Sequence, residues 1–192
     1  MAIRKIARMG HPILAVKAKT VDNPTAPEIR YLIQEMLDTM QDAQGAGLSA
    51  PQVYESKRLV IFHAPEECAV PENEEGNAGH HSAPLTILIN PEIEILSQEM
   101  EDGWEGCLSV PGMRGLVPRY RRIRYSGVDH EGRLVEHEAE GFHARVAQHE
   151  CDHLDGILYP QRMTDLSRLI FDTEAQHWIS SKAEGSEELE EG

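Results

Sequence analysis

At 192 residues the chain is long enough to bury one ordinary core and too short for two comfortable domains. With 40% hydrophobic and 27% charged residues it is not a disordered or fibrous composition, and no apolar run approaches the ~20 residues of a membrane-spanning helix. A formal charge of -15, from 33 acidic against 18 basic residues, opposes broad binding to phosphate backbones or anionic lipid.

The start, Met1-Ala2-Ile3-Arg4-Lys5, lacks the apolar stretch of a signal peptide, so the expected compartment is the cytoplasm. The three cysteines, Cys68, Cys107 and Cys151, are too few and odd in number for a disulfide framework, which leaves a free thiolate available. Thr25-Ala26-Pro27-Glu28 reads as a capping box, followed by Ile29, Leu32, Ile33, Met36, Met40 and Ala43 at helical spacing. That helix must end near Gln44, because Gly45-Ala46-Gly47 is a poor helix interior and a natural place for backbone to approach a ligand.

Three short β-branched runs follow, Leu59 to Phe62, Leu85 to Ile89 and Ile93 to Leu96, and each reads as a strand. Between the first two, residues 64–84 are rich in Pro, Glu, Gly and Asn and read as a surface insertion, with His80 and His81 as solvated side chains. Arg119, Arg121, Arg122 and Arg124 form a basic cluster, read as the solvated face of a strand. Alternation from Arg122 to Val128 and again from Leu134 predicts a hairpin.

From Gly141 to about Leu154, Phe142, Val146, Ala147 and Leu154 suit a helix buried on one side and stopped by Gly156. A last amphipathic helix is predicted over 165–178, with Leu166, Leu169, Ile170 and Trp178 on its apolar side. The glutamate-rich stretch 182–192 reads as a disordered tail, leaving 1–181 as one catalytic domain. The expected architecture is α+β, with short antiparallel strands packed around a buried helix.

That helix carries His149-Glu150-Cys151-Asp152-His153, an HExxH motif. Two histidines four residues apart share a helix face and can reach one metal ion, and Glu150 beside them can take a proton from a water that the ion has acidified. The same letters also describe two surface histidines around an acid. A catalytic site needs a third protein ligand. The continuation Leu154-Asp155-Gly156-Ile157-Leu158-Tyr159 does not supply a third histidine, and Cys107 in Glu105-Gly106-Cys107-Leu108-Ser109 is the alternative, although an isolated cysteine is more often a small buried hydrophobe.

Glu105 to Ser109, Gly45-Ala46-Gly47-Leu48-Ser49-Ala50-Pro51-Gln52 and Gln148 to Gly156 together resemble the three signature motifs of peptide deformylases, in the family's order. Val110-Pro111-Gly112, Arg114, Val117-Pro118-Arg119 and Gly141 extend the resemblance across most of the chain to about Met163. It implies a metal site of Cys107, His149 and His153 similar to the family's Fe(II) centre, with Zn(II), Ni(II) and Co(II) also suited to the donors. Glu150 would be the acid and base, while Gln52 and the backbone N–H of Leu108 would hold the formyl oxygen.

Gly45, Ala46 and Gly47 would pair with an extended peptide, and Ala46, Phe142, Val146 and His149 would wall an apolar pocket for methionine. Ser49 departs from the family's usual alanine, and Trp104 and the 64–84 insertion are less typical. The implied substrate is a nascent N-formylmethionyl peptide, with transient ribosome contact, no direct nucleic-acid binding and no membrane. Another metallo-amidase, a short zinc peptidase, or a peptide-binding relative without turnover are the competing readings.

Overall fold

The computed structural model describes residues 2–64, 83–175 and 177. In chain order it places helix α1 (Pro27–Asp42), strands β1 (Gly47–Ser49), β2 (Leu59–Ala64), β3 (Ala83–Ile95), β4 (Met100–Cys107), β5 (Val110–Tyr120), β6 (Arg122–Val128) and β7 (Leu134–Glu140), helix α2 (Gly141–Leu154), and strand β8 (Leu169–Phe171). The insertion from 65 to 82, with Cys68, His80 and His81, and the tail 182–192 lie outside the described residues.

One antiparallel sheet runs β1-β2-β3-β6-β7 and a second runs β4-β5-β8. The apolar run of β2 has a simple cause. Successive strand residues face opposite sides, so a strand between two layers must be apolar throughout. Leu59 and Ile61 join Ile29, Leu32, Ile33, Met36 and Met40 of α1 in one cluster. Val60 and Phe62 join Ala144, Val146, Ala147 and Leu154 of α2 in another. Helix α2 is therefore covered on nearly every side, and all its residues except Phe142 are buried. A third cluster, Val110, Val117, Leu158 and Tyr159, packs the small sheet against the segment after α2.

The α+β reading holds, and several local expectations change. The cap of α1 is Ala26, without a side-chain bond, because Thr25 turns its hydroxyl to Asn23 Oδ1 at 2.9 Å. The two predicted runs 85–89 and 93–96 are one bent strand. Its ladder shifts between Ile89 and Glu92, where Pro91 offers no N–H and Asn90 takes a positive φ of 53°. Asn90 uses this bend to hold Val21 through two 2.9 Å bonds. The predicted helix over 165–178 is instead a 3-10 turn at Leu166–Arg168 followed by β8, which pairs with β5 at Met113 to Gly115. Leu166 remains 66% exposed, so its apolar spacing does not mark a buried helix face, and Trp178 lies outside the described residues.

Strands β4 and β5 escaped the sequence reading altogether. Gly156 does stop α2 as expected. Its φ is 75°, and a Cβ there would lie 2.8 Å from the Ala15 backbone, so only glycine fits the turn without displacement.

Candidate active site

Helix α2, strand β1 and the turn between β4 and β5 meet at one cleft of about 730 Å³. The ligand atoms of Cys107, His149 and His153 lie within 4.8 Å of one another. Cys107 Sγ is 3.4 Å from His153 Nε2, and the two histidine rings meet edge-on with centroids 5.0 Å apart. His149 and His153 are adjacent because they are four residues apart on one helix, and Cys107 reaches them because it ends β4 where the ladder shifts register. One thiolate and two imidazoles suit a borderline-soft divalent ion.

The orientation of His149 comes from behind. Its Nδ1 lies 2.8 Å from Glu105 Oε2, which directs Nε2 toward the shared centre, and Tyr159 stacks on the ring at 6.3 Å with planes 23° apart. Glu105 also accepts two bonds from Arg119, at 2.8 and 2.9 Å, and one from Arg145 at 3.0 Å. Burial alone would raise its pKa. The bonds from Arg119 and His149 outweigh that and hold the carboxyl well below the usual carboxylate range.

Glu150 has the opposite environment. Burial pushes its carboxyl up to about 7, with the nearby Glu105 charge acting in the same sense and His149 opposing. Its Oε2 is buried without a hydrogen-bond partner among the described residues, and so is His153 Nδ1. Orphaned carboxylate oxygens are costly in an interior, and a cation or water at the Cys-His-His centre removes that cost. The residues present therefore fit a resident metal ion.

Glycine at 47 is explained by Glu150. A Cβ there would fall 2.3 Å from Glu150 Oε1, so the carboxylate occupies the space a side chain would need. Gln52 is fixed through its other end: Oε1 accepts from Ser49 N at 2.8 Å and Ser49 Oγ at 3.0 Å, leaving Nε2 toward Cys107 Sγ at 3.5 Å. The hydroxyl at Ser49, a small departure by sequence, is thus a second anchor for this amide. Nε2 also donates to Ser109 Oγ at 3.1 Å.

Gly45, Ala46, Gly47, Leu108, Phe142 and Val146 all line the cleft with Gln52, Cys107, His149 and Glu150. Sequence reasoning did not assign roles to Trp104, Glu105, Arg145 and Tyr159. Trp104 and Arg145 line the same cleft, and Arg145 lies over Gly103, where a Cβ would meet the guanidinium carbon at 2.6 Å. The signal available for Glu105 was its place two residues before Cys107. A larger groove, about 860 Å³, opens on another face of α2 beside Cys151 and Asp152, and it contains none of the three ligand candidates.

A cysteine at a strand end joined to an HExxH helix, with a buried carboxylate facing the joint, defines a metal-dependent hydrolase by class. The chain belongs to the polypeptide deformylase family, whose profile matches residues 3–169. It is 55% identical to peptide deformylase 1 of Bordetella pertussis over 86% of this chain and 90% of that protein. A crystal structure of the Ehrlichia chaffeensis peptide deformylase superposes with a TM-score of 0.76 at 30% identity, covering 96% of this chain and 99% of the other. The Met-Ala-Ser-bound class I type b enzyme of Acinetobacter baumannii superposes with a TM-score of 0.73 at 36% identity, covering 84% and 99%. Like these relatives the chain is an enzyme, a hydrolase that removes the N-formyl group from newly made peptides.

Proposed function

We propose that residues 1–181 form one catalytic domain in which Cys107, His149 and His153 hold a single iron(II) ion and Glu150 carries the proton during formyl hydrolysis. When bound, such an ion acidifies water and accepts charge from a carbonyl oxygen. The remaining work falls to the chain. Glu150 takes a proton from the attacking water as the new C–O bond forms at the formyl carbon. It then returns that proton to the methionine nitrogen as the C–N bond breaks, which yields formate and a free amine.

The side-chain amide of Gln52 and the backbone N–H of Leu108 hold the formyl oxygen as it gains charge. Ser49 supports this by fixing Gln52 before substrate arrives, so little reorganisation is needed. Glu105 keeps His149 in one orientation. The methionine side chain enters the apolar pocket of Ala46, Phe142, Val146 and His149, and the peptide backbone pairs along Gly45 to Gly47. The Met-Ala-Ser peptide seen with the Acinetobacter baumannii enzyme is the product such a reaction leaves, and we carry it over to this cleft.

Among the described residues no helix is long and apolar enough to cross a membrane. We place the enzyme in the cytoplasm, meeting nascent chains at the ribosome without nucleic-acid or membrane binding of its own.

One observation carries the reading most strongly: the buried, unpartnered Glu150 oxygen beside the Cys-His-His centre. Formate release from formyl-Met-Ala-Ser and acetate release from acetyl-Met-Ala-Ser test it, with protein purified without air. The formyl peptide turns over far faster, activity disappears on chelation, and nickel restores it. Equal rates on the two peptides, or full activity in metal-free protein, contradict the proposal.

A further inference from the structure

A second groove, about 690 Å³, leads away from the cleft and shares Ala43, Leu108 and Pro111 with its wall. Its far side is the extended segment from Ile3 to His11. That segment is tied inward at three points: Arg4 N donates to Thr39 Oγ1, Ala7 N to Gln52 O and Met9 N to Ser109 O. Among the described residues, no bond is found for the backbone N–H groups of Lys5 and Arg8. Their side chains are exposed and have no ion pair among the described residues, whereas Arg4 is neutralised by Glu35 and Glu55. Asp42 is the one carboxylate in the lining. Ile3 at 47% and Tyr54 at 39% exposure add apolar surface.

The direction of the cleft connects the two spaces. Gly47 marks its catalytic end, because it abuts Glu150, while a Cβ at Gly45 would lie 3.0 Å from Leu108 Cδ1 on the way to Ala43. A peptide paired along this segment with its formyl end at Glu150 therefore runs from Gly47 toward Ala43. Ala43 and Gln44 form the turn that ends α1, with Gln44 at a φ of 53°, so only the short run from Gly47 back to Gly45 can pair, and it takes up about the first three residues of an extended peptide.

We propose that the groove beside Lys5 and Arg8 is the track for the polypeptide from about its fourth residue onward, and that it favours acidic side chains there. The inference rests on the reading of the cleft as the substrate site. The overall charge of -15 otherwise repels acidic sequences, so two cations unpaired among the described residues offset that repulsion where the chain leaves. Continuity with the cleft and the apolar flank favour a polypeptide over a phosphate backbone.

The test compares formyl-Met-Ala-Ser extended by three aspartates with the same peptide extended by three lysines. In the unaltered enzyme, KM for the aspartate peptide is lower by about threefold to tenfold at low salt, with similar kcat, and the difference fades at high salt. In Lys5→Glu/Arg8→Glu the ratio inverts. Anisotropy with fluorescent, unformylated versions of both peptides measures the same preference without turnover, so loss of activity alone would count against the proposed chemistry and not against the groove. Equal binding of the two peptides, an unchanged ratio in the double variant, or an RNA oligomer that displaces the label while the peptides show no charge preference would overturn the proposal.

Discussion

Arg119 and Arg124 sit five residues apart in a single basic cluster of the sequence, and each meets two carboxylates at similar distances in the fold. Arg119 binds Glu105 at 2.8 and 2.9 Å and Asp152 at 2.5 Å. Arg124 binds Glu94 and Glu138 at 2.7 Å each. What separates them is water: the Arg119 side chain is 5% exposed and that of Arg124 is 34%. In the interior, each charge has been stripped of solvent and depends on its partners, while at the surface water replaces any partner that leaves. The same ion-pair chemistry therefore builds a rigid support for a candidate metal ligand in one place and a weakly stabilising, screened ladder in the other. The inner group continues outward through Asp152 to Arg162, at 2.6 Å, and inward through Glu105 to His149.

Breaking the inner group has the larger effect. Arg119→Met leaves Glu105 and Asp152 buried without their shared cation, and it destabilises the protein by about 3–5 kcal/mol, read from denaturant unfolding of the metal-loaded enzyme. A loss no greater than that of a surface variant would show that burial does not set the difference. Arg124→Met likewise takes the cation from two carboxylates and costs less than about 1 kcal/mol, shrinking further as salt is added. A salt-independent loss of several times that size would place β6 among the buried networks instead.

This contrast also shows what sequence reading reaches. Four arginines in six residues look alike as letters, and the alternation of β5 into β6 that turns Arg119 inward was hidden because β4 and β5 themselves were not recognised. Their composition explains the miss: Gly103, Gly106, Gly112, Gly115, Pro111 and Pro118 carry little strand signal, yet Gly103 lies where backbone must approach Arg145, and Gly115 where it must approach Tyr159 and Met163. Gly103 and Gly115 serve close packing, and local propensity is given up there. The candidate ligands and Glu150 were legible because helical spacing alone puts His149 and His153 on one face. Cys107 and Gln52 needed the resemblance to a family, since each comes from a different part of the chain. Glu105 was quoted within a motif without a role, because the bond to His149 links residues 44 apart. The spacing over 165–178 misled for another reason: β5 recruits Leu169 to Phe171 as an edge strand, and this pairing overrides a helical pattern.

In the proposed mechanism Glu150 works as a proton carrier beside a metal it does not hold. Glu150→Gln keeps the side chain's size and removes its basicity, so the direct measurement is metal content together with formate release from formyl-Met-Ala-Ser in that variant. On that mechanism about one equivalent of metal stays bound and turnover falls by at least ~10²-fold. Full turnover in Glu150→Gln with its metal in place would contradict it.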